Sequence, residues 1–278
     1  MKAIKLSNLI QRILSGALFV VLIVGSIIWS QYAFVAIFAV VTGLTVREFH
    51  RLTNRSPEIA VNQWIAIIGG IILFTTSFLH AANIIRYPIF SVYGLYIIVI
   101  LVVELYLKRS NPIHNWAYFI LGQIIIALPF SLLNFIAFID GASYKPLLLL
   151  SVFVIIWVND IGAYSTGMTF GKHRLFERIS PKKSWEGFIG GAILALGAGV
   201  GLSYIIPEIS LIKWLIFAAI IVLFGTFGDL MESLLKRTIH VKDSGNMMPG
   251  HGGLLDRFDS MLLSAPAIFI YLSLIFIS

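Results

Sequence analysis

Apolar residues in this chain come in unbroken runs rather than in alternation. Runs of roughly 20 residues recur from end to end, about the length a helix needs to cross a bilayer. Hydrocarbon offers no partner to a backbone N–H or C=O, so a spanning segment must be a helix or part of a closed barrel, and continuous runs select helices. The pattern predicts nine spans, at about 12–30, 31–48, 63–82, 89–107, 115–139, 146–169, 187–206, 211–235 and 258–277. No soluble domain fits between them. The first run has no small-residue cleavage site and passes through Gln31 and Tyr32 almost directly into the second, so it reads as a retained helix.

Basic residues alternate from loop to loop. Lys2, Lys5 and Arg12, then Arg47, Arg51 and Arg55, then Lys108 and Arg109, then the run from Lys172 to Lys183, then Lys236, Arg237, Lys242 and Arg257 fall on one side, and only Arg86, Lys145 and Lys213 on the other. Positively charged loops stay in the cytoplasm. The N-terminus is therefore expected inside and, with nine spans, the C-terminus outside. Composition agrees: 59% of residues are hydrophobic, 12% are charged, and the mean hydropathy is +0.94. In that setting the net charge of +7 reports orientation and not nucleic-acid binding. With no Cys, thiol chemistry and disulfides are excluded.

Residues 1–145 read as transmembrane scaffold, with Glu104 and Lys108 spaced as a helical ion pair near a helix end. Residues 146–278 read as the catalytic region, because polar residues concentrate in 157–187 and 225–259, both at cytoplasmic span ends. Trp157, Asn159, Asp160 and Tyr164 interrupt an apolar run, and an ionisable residue inside a span is expensive enough that Asp160 is a functional candidate. Ser180 followed by Pro181 predicts a helix N-terminus, whose free N–H groups, with Lys182 and Lys183, suit a phosphate.

In the eighth span Asp229, Glu232, Ser233 and Lys236 are three, four and seven residues apart and share one helix face. Lys242 and Asp243 follow, then Pro249-Gly250-His251-Gly252-Gly253 and Asp256-Arg257-Phe258-Asp259 at the entry to the last span. Glycines beside His251 allow the backbone to approach a ligand closely. Several carboxylates, cations and a Gly loop are what holding Mg²⁺ between protein and substrate phosphates requires. Zinc is disfavoured by the missing Cys and dispersed His, and His251 lacks the Ser and acid setting of a nucleophilic triad.

The run Ser233-x-x-Lys236-Arg237-x4-Lys242-Asp243 and then Pro249-x-His251-Gly252-Gly253-x-x-Asp256-Arg257-x-Asp259 resembles the motif of the phosphatidate cytidylyltransferases, or CDP-diacylglycerol synthases. Asn159-Asp160, Phe170-Gly171-Lys172 and Ser180-Pro181-Lys182-Lys183-Ser184-x-Glu186-Gly187 are similar to that family's other common block. Met248 departs from the expected Leu, Ile or Phe. The resemblance implies an integral membrane enzyme of phospholipid biosynthesis, multi-pass in the plasma (inner) membrane, that converts CTP and phosphatidate to CDP-diacylglycerol and pyrophosphate with one or two Mg²⁺ ions.

On this reading Asp256, Asp229, Asp259 and Asp243 hold metal. Lys182, Lys183 and Arg257 hold nucleotide phosphates, and Lys236, Arg237 and His251 hold the lipid phosphate or the pyrophosphate. Asn159, Asp160, Glu186, Lys242, Gly252 and Gly253 complete the substrate site. The partners expected are CTP and bilayer phosphatidate, with a homodimer left open. Two other classes stay in view: a membrane phosphotransferase using a CDP-alcohol or lipid phosphate, and an ion or lipid transporter. A transporter predicts polar interruptions near the midplane of two matching halves; here they cluster late and on one face.

Overall fold

The structure is a computed structural model that describes residues 2–277 apart from 86–87, 142, 242–243 and 246–251, with side chains from Leu14 to Phe276. Among these residues the chain forms α1 (Lys2–Trp29), α2 (Gln31–Thr53), α3 (Gln63–Ala81), α4 (Phe90–Tyr106), α5 (Pro112–Ala137), α6 (Pro146–Phe170), α7 (Trp185–Ile205), α8 (Leu211–Thr238) and α9 (Leu255–Ile277). Within α5, Gln123–Ala127 is a π-helical turn. Seven of these helices (α2, α3 and α5 to α9) are long and apolar enough to cross a membrane, and Leu14–Trp29 of α1 and all of α4 are shorter apolar helices. The chain is a multi-pass helical membrane protein.

Side chains at the helix starts explain the boundaries. Ser30 Oγ accepts the Ala33 N–H at 3.1 Å, the Asn62 side chain accepts the Trp64 N–H at 3.0 Å, and Pro112 and Pro146 open α5 and α6. At the end of α4, Lys108 turns to φ 47. That left-handed turn removes the helical geometry the expected Glu104–Lys108 pair needs. Buried Glu104 instead accepts from Asn115 Nδ2 at 2.6 Å and pairs with Arg109 at 3.5 Å.

The core joins the two halves through aromatic rings. Phe38 of α2 packs on Phe153 of α6 (5.8 Å between centroids), and Phe130 of α5 on Phe258 of α9 (5.0 Å). Helices α6 and α7 approach more closely than side chains usually permit. A Cβ on Gly191 would lie 2.7 Å from Asn159 Oδ1, so glycine at this crossing lets α7 lie against the polar stretch of α6.

Polar contacts mark two ends of the bundle. At one, Tyr144 donates to the Ile27 carbonyl and Tyr271 to the Lys213 carbonyl, both at 2.8 Å. At the other, Asn115 Oδ1 accepts the Ala60 N–H at 2.7 Å and Glu48 accepts the Leu254 N–H at 2.7 Å. This second end also carries an antiparallel hairpin, β1 (Arg174–Phe176) and β2 (Ser180–Ser184), with Arg174 opposite Ser184 and Phe176 opposite Ser180.

The hairpin is a small addition to an otherwise all-helical chain, and it corrects one expectation: Ser180 with Pro181 does not start α7. Residues 180–184 are extended because β1 satisfies their backbone groups. Helix α7 begins four residues later, where Ser184 Oγ accepts the Gly187 N–H at 3.1 Å and Glu186 adds an acid to the first turn.

Candidate active site

At the hairpin end, α6, the hairpin, α7, α8 and α9 enclose an open cavity of about 310 Å³. Helix α6 contributes Asn159, Asp160 and Tyr164; the hairpin contributes Lys182, Lys183 and Ser184; α8 contributes Thr226 and Asp229; α9 contributes Ser260. Each position has a local cause. The hairpin holds residues 182 and 183 in extended backbone, where successive side chains diverge, and both still border the cavity. In α8, a Cβ on Gly228 would meet the Asp259 carbonyl at 2.5 Å, so glycine allows α9 to approach beside Asp229.

Charges of both signs line this space. Lys183 Nζ lies 2.5 Å from Asp229 Oδ2, and Ser233 Oγ donates to Asp229 Oδ1 at 3.3 Å. Asp160 feels Asp229, Lys183 and Arg257, while the strongest charged influences on Asp259 are three acids, Asp229, Glu232 and Asp160. Carboxylates gathered this way repel one another and any incoming phosphate unless cations join them.

A second cluster stands beside the first. Lys236 bridges two acids: it meets Glu232, 2% exposed, as an ion pair without a well-aligned hydrogen bond, and donates to Asp256 Oδ1 at 2.7 Å. Asp256 Oδ2 accepts the Gly253 N–H at 2.9 Å and the Ser244 N–H at 3.1 Å. Asp256 thus opens α9 with its carboxylate turned back onto Lys236 and the preceding loop. The expected stripe on α8 is present, since Asp229, Glu232, Ser233 and Lys236 engage one another or the same neighbours. It divides between two tasks, Asp229 facing the cavity and Glu232 with Lys236 facing Asp256.

Other expected residues take various places. Arg237 reaches the carbonyls of Ile179 and Val241 at 3.5 and 3.4 Å and so ties α8 to the hairpin. Glu186 accepts the N–H groups of Lys172 and His173 at 3.1 and 3.2 Å, and His173 Nδ1 at 2.6 Å, which closes the turn after α6. Gly252 has φ 85, a left-handed conformation open to glycine, just before Gly253. Lys242, Asp243, His251 and Met248 lie outside the described residues.

One participant lies in the half expected to be scaffold. Glu48 of α2, 4% exposed, accepts the Leu254 and Leu255 N–H groups at 2.7 and 3.2 Å and the Ser244 hydroxyl. The span expected at 31–48 stops on this residue, and the sequence reading assigns it no role. The helix continues to Thr53, and an acid that far inside it is the available signal.

The fold and site define a multi-pass membrane protein with mixed carboxylate and lysine chemistry at one bundle end. The chain belongs to the cytidylyltransferase family, whose sequence profile matches residues 10–275. It is similar to the phosphatidate cytidylyltransferase of Staphylococcus haemolyticus, 44% identical over 135 residues, which is 48% of this chain and 50% of that protein. The corresponding figures for the Bacillus subtilis phosphatidate cytidylyltransferase are 46% over 125 residues, 44% and 45%. In these two alignments the chain spans about half the length of the curated relative. The Rickettsia bellii phosphatidate cytidylyltransferase matches more widely, 36% identical over 216 residues, 75% of this chain and 90% of that protein.

Proposed function

We propose that the protein transfers a cytidylyl group from CTP to phosphatidate, giving CDP-diacylglycerol and pyrophosphate. The observation that carries this reading is the cavity that sets Lys182 and Lys183 against Asp160 and Asp229 at a single bundle end. The activity for which the relatives are named and the basic loops at that end support it. Those loops also support placing the site on the cytoplasmic face of the bacterial inner membrane, where CTP is available, with nine spans and an external C-terminus.

The attacking group is a phosphate monoester oxygen of phosphatidate, already largely ionised because its second pKa is about 6. It forms a bond to the α-phosphorus of CTP while the bond from that phosphorus to the β-phosphate bridging oxygen breaks, and the electron pair leaves with pyrophosphate. No side-chain nucleophile is needed. What the protein must supply is orientation and charge neutralisation for two polyanions. Lys182 and Lys183 at the cavity wall serve the nucleotide phosphates, and Arg257 stands in electrostatic reach of Asp160 on the same side. Lys236, held between Glu232 and Asp256, is a fixed cation for the lipid phosphate or departing pyrophosphate.

Among the described residues no three acids are grouped to hold a metal ion, but Mg²⁺ commonly needs only one or two protein carboxylates beside substrate phosphates, and Asp229 offers one at the cavity wall. Asp229 and Asp259 would hold it, with Asp160 nearby, while Asp256 orients Lys236. When bound, Mg²⁺ would offset negative charge on the phosphates. The test is incubation of purified protein with labelled CTP, phosphatidate and Mg²⁺. A lipid-soluble cytidine product with release of pyrophosphate is expected; its absence in folded protein across phosphatidate chain lengths would refute the reading.

A further inference from the structure

The first N–H groups of a helix have no partner within it and are ordinarily capped by the residues just before. At α9 the cap comes from elsewhere. Glu48 Oε2 accepts the Leu254 N–H at 2.7 Å and the Leu255 N–H at 3.2 Å, and Glu48 Oε1 accepts the Ser244 hydroxyl. The carboxylate fills the space where side chains on residues 245 and 253 would stand, since a Cβ on Gly245 or Gly253 would overlap it. Two glycines and three donors therefore form a fitted seat for one acid contributed by α2.

The same loop carries the next set of bonds. Ser244 and Gly253 donate their N–H groups to Asp256, and Asp256 accepts from Lys236. We infer that Glu48 is a positioning residue for the transfer site, acting through the Ser244 and Gly253 backbone to fix Asp256 and, through it, the ammonium of Lys236. This rests on the cytidylyl-transfer reading above. Among the described residues the bonds of Glu48 go to Ser244, Leu254 and Leu255, none of which lines the cavity, so it is no catalytic residue; its effect is on where the Asp256 and Lys236 pair stands. Glutamine is nearly the same size as glutamate but presents an N–H₂ group in place of one oxygen. Donors would then face donors, and at least one N–H in the seat would lose its acceptor.

The experiment compares full-length wild type and Glu48→Gln in nanodiscs by steady-state kinetics and by hydrogen exchange of peptides covering residues 252–258. Expected is a kcat reduced about tenfold or more, with KM for CTP changed less than about threefold, since a small displacement of a catalytic group acts on the chemical step. Exchange should rise in those peptides and stay unchanged in α3 to α5. A Glu48→Gln protein with wild-type kcat overturns the inference. So does one whose kcat falls only with exchange raised across all helices, because that is loss of stability and not of position.

Should Glu48→Gln fail to fold, Ser244→Ala removes one of the three bonds and leaves the others. Expected there is a smaller fall in kcat with raised exchange in the same peptides; unchanged exchange and kcat in folded Ser244→Ala overturns the proposal. Exchange reads the hold of Glu48 without turnover. A wild type that makes no cytidine lipid therefore sinks the functional reading, whereas an unloosened loop in Glu48→Gln sinks this one.

Discussion

Helices α1 to α5 and helices α6 to α9 both bury polar groups, but they use them differently. In the first set the buried amides brace neighbouring helices. Asn115 spends its amide on Glu104 and its carbonyl on the Ala60 N–H, Gln123 donates to the Ala66 carbonyl at 3.0 Å, and Asn134 donates to the Phe74 carbonyl at 3.2 Å. In the second set, and in the hairpin between α6 and α7, Asp160, Asp229, Lys182 and Lys183 line open space. Burying a polar group costs free energy wherever it happens. What separates bracing from chemistry is whether the partners are helix backbones or a cavity, and Glu48, on α2 but bonded to the loop before α9, belongs to both sets.

The largest expected effect tests the cavity side of that contrast. Asp229→Asn removes an anionic oxygen with little change in volume, and kcat for cytidine-lipid formation should fall by roughly a hundredfold or more, as when an electrostatic catalytic group is lost. The Mg²⁺ concentration needed for half-maximal rate should rise. Asp256→Asn should also lose most activity, with less change in Mg²⁺ requirement, because its carboxylate holds Lys236 and the loop. A Mg²⁺ requirement shifted by Asp256→Asn alone would transfer the metal to Asp256.

Next in size is the lysine pair. Changing Lys182 and Lys183 together to Gln should lower kcat/KM for CTP by about tenfold to a hundredfold, the range of one or two lost charge-assisted contacts. Lys183→Gln alone also frees Asp229 from its 2.5 Å partner, so its Mg²⁺ dependence should move as well. Equal kcat/KM in the double variant and the wild type would leave these lysines with orientation in the membrane as their task.

Much of this was legible before any coordinates. Unbroken apolar runs located the helices because the bilayer permits almost nothing else, and the spacing from Asp229 to Lys236 placed those side chains on one stripe because helix geometry is rigid. The start of α7 was misread because Ser180 with Pro181 obeys the same capping rule as Ser184, and only pairing with β1, a contact outside the window of any local rule, decides between them. Glu48 escaped for the same reason. Its partners are about 200 residues away, the loop they belong to carries no hydropathy signal, and the expected span stops on residue 48 whereas α2 runs on to Thr53.

A bracing residue should show the opposite behaviour from a cavity residue. Asn115→Ala removes the donor to buried Glu104 and the acceptor of the Ala60 N–H. A buried group left unpaired costs about 1–3 kcal/mol, so thermal unfolding of purified Asn115→Ala should come several degrees earlier while kcat per folded molecule holds. A selective loss of kcat at unchanged stability would move the α4–α5 network into the catalytic machinery.

The smallest effect is expected one residue from the largest claim made for α2. Arg47 and Glu48 are neighbours in sequence, yet a helix turns consecutive residues about 100° apart, and their side chains go to different neighbours. The Arg47 guanidinium lies 5.7 Å from the centroid of the Trp64 ring, which is 68% exposed on α3. A cation over an exposed indole contributes about 0.5–1 kcal/mol. Trp64→Leu should accordingly lower the unfolding temperature by only a few degrees and leave kcat, KM for CTP and exchange at residues 252–258 at wild-type values. That null result is informative beside Glu48→Gln, because both changes fall on the same end of the α2–α3 pair and both leave the cavity untouched. If Trp64→Leu lowered kcat as much as Glu48→Gln, any disturbance of this helix pair would reach the site, and the specific path through Ser244, Gly253 and Asp256 would lose its support.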